Sequence, residues 1–331
     1  MNTFERVYGC LAGLALGDAL GMPTEFLTRE QIGKEFGWVD HPLQAPAWHP
    51  HHKLRAGMVT DDTGQALAVA HAYELDGSLS AAAVARELIT WSERVGEILP
   101  LILGPSTRAA LELLKAGEDP RKTGRKGTTN GAAYRAIIVG LVNCRQPERL
   151  LPQVVEACLP THGTTTAISA GVAVASAVAQ AMSGEAALDD IFDAAQSGAQ
   201  QGRSHGAWAW GTPLEGRIEL ALKIVAESRS PEMALDELVR YVGVDMLAAE
   251  SIAAAFGLVS LAGGDAMRSI TYGANIGGDT DTMAAIAGAI CGAWQGIDAL
   301  DHKMLALVEK VNNLDLKGEA ERLVRIINGK G

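Results

Sequence analysis

The chain has 331 residues, of which 48% are hydrophobic and only 5% are aromatic, while glycine alone accounts for 37 residues. Such a composition is sufficient for a large core and indicates closely packed helices with few bulky side chains. The formal net charge of −11 at pH 7 argues against a nucleic-acid backbone as the partner.

The first predicted helix covers residues 3–20, and Met22-Pro23 ends it. Asp18 lies inside this apolar helix and needs a partner, because a lone buried charge is costly. Either a structural hydrogen bond or a functional contact would provide that partner. Four glycines recur at every fourth position and share one face, which favours close contact with another helix: Gly9, Gly13, Gly17 and Gly21.

Residues 27–57 predict an ordered loop that is rich in proline and histidine. Its prolines interrupt any helical face, and two of its histidines, His51 and His52, are adjacent. Metal binding by His49, His51 and His52 is therefore weakly supported, and we expect a solvated loop. The same loop could form one wall of a substrate cleft.

Thr60-Asp61-Asp62-Thr63, the first acidic motif, precedes an apolar helical run. Helices are expected at residues 62–75, 80–94 and 105–116. The next stretch, residues 117–127, is the most polar of the chain and carries four bases. These bases either face solvent or attract a diphosphate, because they lead directly into a Thr-Asn-Gly loop: Arg121, Lys122, Arg125 and Lys126.

The second half of the chain is also predicted to be helical. Thr161-His162-Gly163 predicts a turn before a long Ala/Gly/Val helix. Trp208 and Trp210 lie in a connector, where they pack on the following helix or cover an entrance to a site. Helices are expected at residues 132–142, 148–158, 165–183, 187–200, 216–228, 231–242 and 252–261, with two closing amphipathic helices in 300–328.

Gly277-Gly278-Asp279-Thr280-Asp281-Thr282, the second acidic motif, precedes another small-apolar helical run. Asp279 stands at the predicted N-cap, and Asp281 and Thr282 fall in the first turn. Capping accounts for one aspartate but less well for two and a threonine. The glycines allow the backbone to bend and a ligand to approach, which makes Gly277 and Gly278 candidate substrate-binding residues.

Two such motifs would together present four carboxylates and several hydroxyls, provided that the fold brings them together. Hard oxygen ligands suit Mg²⁺, Mn²⁺ or Ca²⁺ rather than Zn²⁺. Clustered acids repel one another, and two divalent ions would neutralise them. The sequence therefore predicts two Mg²⁺ or Mn²⁺ ions held by Thr60, Asp61, Asp62, Asp279, Asp281 and Thr282.

Few segments alternate as strands do, and no βαβ pattern or phosphate-loop signature is present. We therefore expect an all-α protein, a single compact domain over residues 1–331 with a dozen or more helices in orthogonal packing. The four cysteines include no CxxC pair, which favours free thiols: Cys10, Cys144, Cys158 and Cys291. No leader segment or eighteen-residue apolar run is apparent, so we expect a cytoplasmic monomer without a membrane span.

The motifs resemble the ADP-ribosylglycohydrolase family, which includes ADP-ribosylarginine hydrolases and dinitrogen reductase-activating glycohydrolases. Five blocks occur in the family's order: residues 9–25, 60–63, 129–135, 161–162 and 277–282. The resemblance implies the same fold and a loop over the metal site in which Glu25 binds a metal or gates the substrate. It also implies that Asn130, Gly131 and His162 contact the ADP moiety.

The chain departs from the family at its Asn-Gly loop. Many members have Gly-Asn-Gly there and an acid just before it, whereas this chain has Thr129-Asn130-Gly131 preceded by bases. We therefore assign no catalytic acid to this loop. Glu250 is kept as a candidate supporting residue because the family often has a glutamate at this place. Asp18 is kept as a candidate substrate-binding residue.

The resemblance implies hydrolysis of the glycosidic bond between ADP-ribose and a modified arginine or serine, or a related ADP-ribosyl compound. The partner would be ADP-ribose or an ADP-ribosylated protein. Asp62, Asp279 and Glu25 are the candidate catalytic residues, although ligation and general-base roles compete for the same carboxylates. Two alternatives stay open: a two-metal hydrolase of another nucleoside, sugar or phosphate, and a protein that binds ADP-ribose without turnover.

Overall fold

A computed structural model describes residues 1–329, and these residues are mostly helical. Apart from two isolated bridges, they contain no β-structure, so the all-α prediction with a dozen or more helices is confirmed. The helices are α1 (Thr3–Gly21), α2 (Arg29–Glu35), α3 (Asp61–Asp76), α4 (Ala81–Val95), α5 (Leu99–Ile102), α6 (Pro105–Lys115), α7 (Pro120–Thr123), α8 (Gly131–Val142), α9 (Pro147–His162), α10 (Thr165–Ala181), α11 (Leu188–Gly202), α12 (Leu214–Glu227), α13 (Pro231–Glu237), α14 (Ala248–Leu261), α15 (Ala266–Ile276), α16 (Thr280–Gln295), α17 (His302–Asn312) and α18 (Leu316–Ile327).

Contacts divide the chain into two compact units. The first unit contains Met1–Thr63, Gly216–Met246 and Glu250–Ala320. The second contains Gly64–Glu215, Leu247–Ala249 and the residues from Glu321 onward. The expectation of a single domain over residues 1–331 stays a prediction.

In the first unit, α1 and α16 pack backbone to backbone along the predicted glycine face. A Cβ atom placed on Gly13 would lie 2.1 Å from the carbonyl oxygen of Gly288, and one on Gly17 would lie 2.2 Å from that of Ala284. A Cβ on Gly21 would lie 2.4 Å from the Cα of Asp281. The expected close contact is confirmed, and it carries the start of α16 directly against the end of α1.

The second unit is arranged around α10, a helix of small apolar residues that packs on α8, α9 and α11. Here too glycines permit close approach. A Cβ on Gly140 would lie 2.5 Å from the carbonyl oxygen of Ala175, and one on Gly198 would lie 2.7 Å from that of Val172. Small residues therefore allow this helix to be surrounded by others, and most of its residues are buried.

Three local predictions differ from the structure. The loop predicted at residues 27–57 contains α2, whose start is stabilised by a capping box between Thr28 and Gln31. Helix α9 continues through the predicted turn, so that His162 is its last residue. Helix α15 was not predicted. It begins at an Asp265 cap that accepts from the backbone N–H of Arg268.

The cysteines are free thiols, as expected. Of the four, Cys10, Cys158 and Cys291 are buried. Burial raises the pKa of Cys158 and of Cys291 to about 12, so these thiols stay protonated and unreactive. Across residues 1–329, every helix is too short or too polar to traverse a bilayer.

Candidate functional site

The second acidic motif lies at the junction between α15 and α16. Gly277 and Gly278 have φ angles of 88° and 73°, a conformation that favours glycine. A Cβ on Gly278 would also lie 2.2 Å from the carbonyl oxygen of Val244. Asp279 occupies the N-cap position of α16 as expected, but its side chain makes no capping hydrogen bond. Capping alone therefore does not explain this motif.

The first acidic motif is held by Asp18, which is fully buried in α1. One carboxylate oxygen accepts from the N–H and the hydroxyl of Thr60, at 2.8 and 2.9 Å. The other oxygen accepts from the N–H and the hydroxyl of Thr63, at 3.0 and 2.6 Å. Four donors satisfy this carboxylate, which supports the structural alternative for Asp18. A direct contact with substrate stays a prediction.

Both acidic motifs meet within the first unit. The hydroxyl of Thr60, which also donates to Asp18, makes a second and longer contact of 3.2 Å with Asp281 Oδ2. This contact joins the start of α3 to the first turn of α16. Glu25, Asp279 and Asp281 each offer a carboxylate oxygen, and these oxygens all lie within 4.8 Å of one another. The proximity inferred from the sequence is therefore present, and Glu25 joins the two motifs.

The clustered carboxylates are buried, and this determines their electrostatics. Burial raises the pKa of Asp62 well above its ordinary value, and the charges of Asp281, Asp18, Asp61 and Asp279 raise it further. Burial also raises the pKa values of Asp281 and Glu25 well above the ordinary range, and neighbouring carboxylates add to both effects. A bound cation would relieve this repulsion, since an opposite charge favours ionised carboxylates.

The residues present fit a divalent cation. Asp62 Oδ2 is buried and has no hydrogen-bond partner among the described residues, which is costly unless something else satisfies that oxygen. The cluster offers carboxylate and hydroxyl oxygens, and neither acidic motif contains cysteine or histidine. Such a donor set suits Mg²⁺ or Mn²⁺ and does not suit Zn²⁺. Glu25, Asp62, Asp279 and Asp281 could provide the carboxylate ligands.

A cavity of about 800 Å³ lies beside Asp279 within the first unit. Its walls are formed by the turn after Glu25, by the loop after residue 242 and by the Gly-Gly turn: Phe26–Glu30, Asp236, Val239, Gly243–Met246, Glu250 and Ile276–Asp279. Glu250 lies 3.4 Å from Arg217, with which it forms an ion pair. The predicted candidates Gly277 and Gly278 therefore line a space that a ligand could enter.

The predicted contacts to an ADP moiety belong to the second unit. Asn130 precedes α8, and Gly131 is its first residue. A Cβ on Gly131 would lie 2.6 Å from His162 Cε1, so glycine is needed for the imidazole to occupy this position. Gly131 therefore lies against the His162 ring, and contact of Asn130, Gly131 and His162 with an ADP moiety stays a prediction.

Hydrogen bonds around His162 determine which ring nitrogen carries the proton. His162 Nδ1 lies 3.2 Å from the guanidinium of Arg135 and 2.7 Å from the hydroxyl of Thr161. A guanidinium can only donate, so Nδ1 is the acceptor and the proton is on Nε2. Burial, followed by the charge of Arg135, lowers the pKa of His162 well below its ordinary value. His162 is thus a neutral donor through Nε2, which lies 2.9 Å from Thr129 Oγ1.

Sequence reasoning missed several residues that support these groups. Arg135 is fully buried and donates to Gln65 at 2.6 Å and to Thr161 at 2.5 Å. A basic residue within the apolar sequence of α8 was the available signal. His49 and His51 were expected in a solvated loop, and this was wrong, because both side chains are buried against Glu25.

The basic stretch at residues 117–127 forms ion pairs with acidic side chains, and the tryptophan connector is exposed. Arg121 pairs with Glu156 at 2.7 Å, and Lys122 pairs with Asp119 at 3.1 Å. Both cations therefore have acidic partners on the protein, which favours the solvated alternative over attraction of a diphosphate. Trp208 and Trp210 are 76% and 87% exposed, and both alternatives for this connector stay predictions.

Comparisons with known proteins agree with this geometry. The family model described as ADP-ribosylglycohydrolase matches residues 1–331. The uncharacterized protein YegU of Escherichia coli is 35% identical over 324 residues, which cover 97% of each chain. The human ADP-ribosylhydrolase ARH3 is 22% identical, covering 96% of this chain and 93% of its own. A solved ADP-ribosylglycohydrolase-related protein complex matches with a TM-score of 0.71 at 24% identity, covering 98% of both chains.

Proposed function

The chain belongs to the ADP-ribosylglycohydrolase family, and from this membership we propose that it is a metal-dependent hydrolase. Its substrate would be an ADP-ribosylated arginine or serine, or a related ADP-ribosyl compound, and the products would be ADP-ribose and the unmodified group. The observation that carries the proposal is the buried cluster of Glu25, Asp279 and Asp281, whose oxygens lie within 4.8 Å of one another.

The ligands proposed for two Mg²⁺ or Mn²⁺ ions are Thr60, Asp61, Asp62, Asp279, Asp281 and Thr282. Glu25 is a further candidate ligand, because its carboxylate lies in the same cluster. Bound ions of this kind lower the pKa of coordinated water and stabilise negative charge near a reacting centre. The unsatisfied Asp62 Oδ2 supports this assignment. So does the orientation of Asp281, whose Oδ1 accepts from Thr282 N–H at 2.9 Å while Oδ2 contacts the hydroxyl of Thr60.

The attacking water needs a group that accepts its proton. Asp62, Asp279 and Glu25 are the candidates, and each is a carboxylate with an oxygen in or beside the cluster. Burial raises the pKa of Asp62 and that of Glu25, and a bound cation would act in the opposite direction. Because Asp62 Oδ2 is also a proposed metal-binding atom, ligation and proton transfer compete for it, and the three candidates stay open.

Binding of the ADP moiety is assigned to Asn130, Gly131 and His162. The Nε2–H of His162 donates to Thr129 Oγ1, so His162 would act on the ADP moiety by orienting the Thr129-Asn130-Gly131 loop. Gly277 and Gly278 are proposed to allow the ribose to approach the acidic motif closely. Asp18 is proposed to act indirectly, because its carboxylate holds Thr60 and Thr63 in place by hydrogen bonds.

The test is release of ADP-ribose from arginine and serine adducts by the chelated protein after single additions of Mg²⁺, Mn²⁺ or Zn²⁺. We expect release with Mg²⁺ or Mn²⁺ and not with Zn²⁺, because the donor set contains oxygen only. Full activity in the chelated protein, or rescue by Zn²⁺ alone, would refute the metal-dependent account. Tight binding of ADP-ribose without release of product would instead identify a binding protein.

A further inference from the structure

Two buried histidines contact Glu25, although nothing in the sequence pattern linked them to it. His49 and His51 lie in the connector between α2 and α3 and are 0% and 2% exposed. His51 Nε2 and Glu25 Oε2 are hydrogen bonded to each other. Whichever of the two groups carries it, a single shared proton lies between these atoms. One carboxylate oxygen of Glu25 is therefore tied to the connector.

His49 holds the backbone of the same residue. Its Nδ1 accepts from the N–H of His51 at 3.1 Å, so the ring proton is on Nε2. That Nε2 donates to the carbonyl oxygen of Glu25 at 2.7 Å. The two histidines thus bind Glu25 at both its backbone and its side chain, and the N–H of His51 fixes the orientation of the His49 ring.

The turn after Glu25 is strained and is held from the opposite side. Phe26 has a φ angle of 66°, which is rare for a bulky residue and costs energy unless the surroundings enforce it. Its N–H donates to the carbonyl oxygen of Gly278 at 2.8 Å, and Gly278 N–H donates to that of Leu27 at 2.8 Å. The Phe26 ring lies 5.8 Å from the His51 ring, centroid to centroid.

Electrostatic repulsion acts against this arrangement. The carboxylate of Glu25 lies among those of Asp61, Asp62, Asp279 and Asp281, each of which disfavours its charge. Without a donor on the other side, the side chain would lower its energy by rotating away from the acids. The hydrogen bond to His51 opposes that rotation and leaves the carboxylate beside Asp279 and Asp281.

We propose that His51 and His49 are positioning residues that hold Glu25 against the acidic cluster, His51 through its carboxylate and His49 through its carbonyl oxygen. The proposal rests on the proposed function in so far as Glu25 serves the metal centre. The connector expected to be solvated thereby becomes part of the site, because it determines where a carboxylate of the centre points.

Paired substitutions at His51 test the role directly. The side-chain amide nitrogen of glutamine occupies roughly the place of Nε2, whereas that of asparagine occupies roughly the place of Nδ1. His51→Gln should therefore keep the donor to Glu25, and His51→Asn should lose it. His41→Leu is the matched control, because His41 belongs to the same connector, its side chain is 60% exposed, and it pairs only with Asp40 among the described residues.

The first readout is the dissociation constant for Mn²⁺, measured by calorimetry. Loss of a partner that orients a ligand typically weakens metal binding about 10- to 100-fold, so His51→Asn should show a change of about this size. His51→Gln should stay within a few-fold of wild type, and His41→Leu should be unchanged. In a Glu25→Gln background His51→Asn should have no further effect, because its action runs through Glu25.

The second readout needs no metal. Amide hydrogen exchange at Phe26 and Gly278 reports whether the turn stays paired with the Gly-Gly loop, and His51→Asn should speed it while His41→Leu does not. If His51→Asn fails to fold, His51→Leu replaces it. Unchanged exchange and unchanged Mn²⁺ affinity in the folded variant would overturn the proposal, as would an equal loss of affinity with and without Glu25. Absence of Mn²⁺ binding by wild type would refute the proposed function, and the exchange data alone would then decide the positioning role.

Discussion

Asp281 shows most directly what one residue contributes to the candidate site. Its two carboxylate oxygens contact different elements, Oδ1 the N–H of Thr282 in α16 and Oδ2 the hydroxyl of Thr60 before α3. Burial raises the pKa of Asp281, and the charge of Asp279 is the next largest cause. A residue held in this way is poorly explained by helix capping and well explained by cation binding.

Asp281→Asn should therefore abolish turnover and remove most of the stabilisation that metal gives. Asparagine has nearly the same shape but no charge, so it is a poorer ligand for a hard dication. At a metal concentration about a hundred times the dissociation constant, one site should stabilise wild type by about 2.7 kcal/mol. Melting temperatures with and without Mn²⁺ measure the loss.

Asp298→Asn is the matched control for this substitution. The Asp298 side chain is 95% exposed, so the change removes the same charge far from any buried cluster. Its metal-induced rise in melting temperature should equal that of wild type. An equal rise in Asp281→Asn would show that Asp281 is not a ligand.

His162 gives a prediction for pH that does not involve the acidic cluster. Its pKa in the folded state lies well below the ordinary value because the ring is buried and faces Arg135. Below about pH 6.5 the unfolded chain binds a proton at this ring and the folded chain does not. The contribution of His162 to the free energy of unfolding is therefore fully present above that pH and decreases as the pH falls below it.

His162→Gln should lose this pH dependence. We expect the stability difference between wild type and variant to fall by about 1.4 kcal/mol between pH 7.5 and pH 5.5, since one pH unit below the unfolded pKa corresponds to this amount. Urea unfolding at both pH values measures it, and the remaining groups cancel in the difference. A difference independent of pH would mean that the folded protein protonates His162 as easily as the unfolded chain does.

At the scale of the element, the glycine face of α1 positions the second acidic motif. Because Gly13, Gly17 and Gly21 carry no side chain, α16 approaches until its backbone touches that of α1. The contact at Gly21 reaches the Cα of Asp281, so the packing of two helices determines the position of this candidate ligand. The glycine face of α1 therefore positions the site by helix packing and takes no part in its chemistry.

Gly13→Ala should destabilise the protein by about 2 kcal/mol or more, since overpacking a well-filled contact costs about 1–3 kcal/mol and the new Cβ would lie 2.1 Å from a backbone oxygen. Gly33→Ala in α2 is the control. Nothing lies within 4 Å of a Cβ there, so the usual helix preference for alanine should make it neutral or slightly stabilising. Denaturant unfolding of the two variants compares them. Equal free energies of unfolding for the Gly13→Ala and Gly33→Ala variants would mean that α1 and α16 can move apart without loss of stability.

At the scale of the whole molecule, the net charge predicts a monomer. The net charge is −11 at pH 7, and a net charge far from zero opposes self-association. Among the described residues, Trp208 and Trp210 are the most exposed of the large apolar side chains. Sedimentation velocity should therefore give the mass of one chain, with and without Mn²⁺. A stable dimer that dissociates on Trp210→Ser substitution would contradict this and assign the tryptophans to an interface.

The sequence by itself determined the helical class, most helix positions and the two acidic motifs. These features can be predicted from short stretches of sequence, because the composition and periodicity of small apolar residues indicate a buried helix. The glycine spacing in α1 also predicted its close contact. Asp279 was correctly placed at a helix start, and its neighbours Asp281 and Thr282 were correctly placed in the first turn.

Only the tertiary structure decided which of these residues act together. It placed Glu25 among the aspartates, satisfied Asp18 with four donors, and buried His49 and His51 in a connector that looked solvated. None of this is visible locally, since each contact joins segments far apart in the chain and depends on how helices pack. Burial then set the charge states, because the pKa of a carboxyl or imidazole depends on neighbours that the linear sequence does not name.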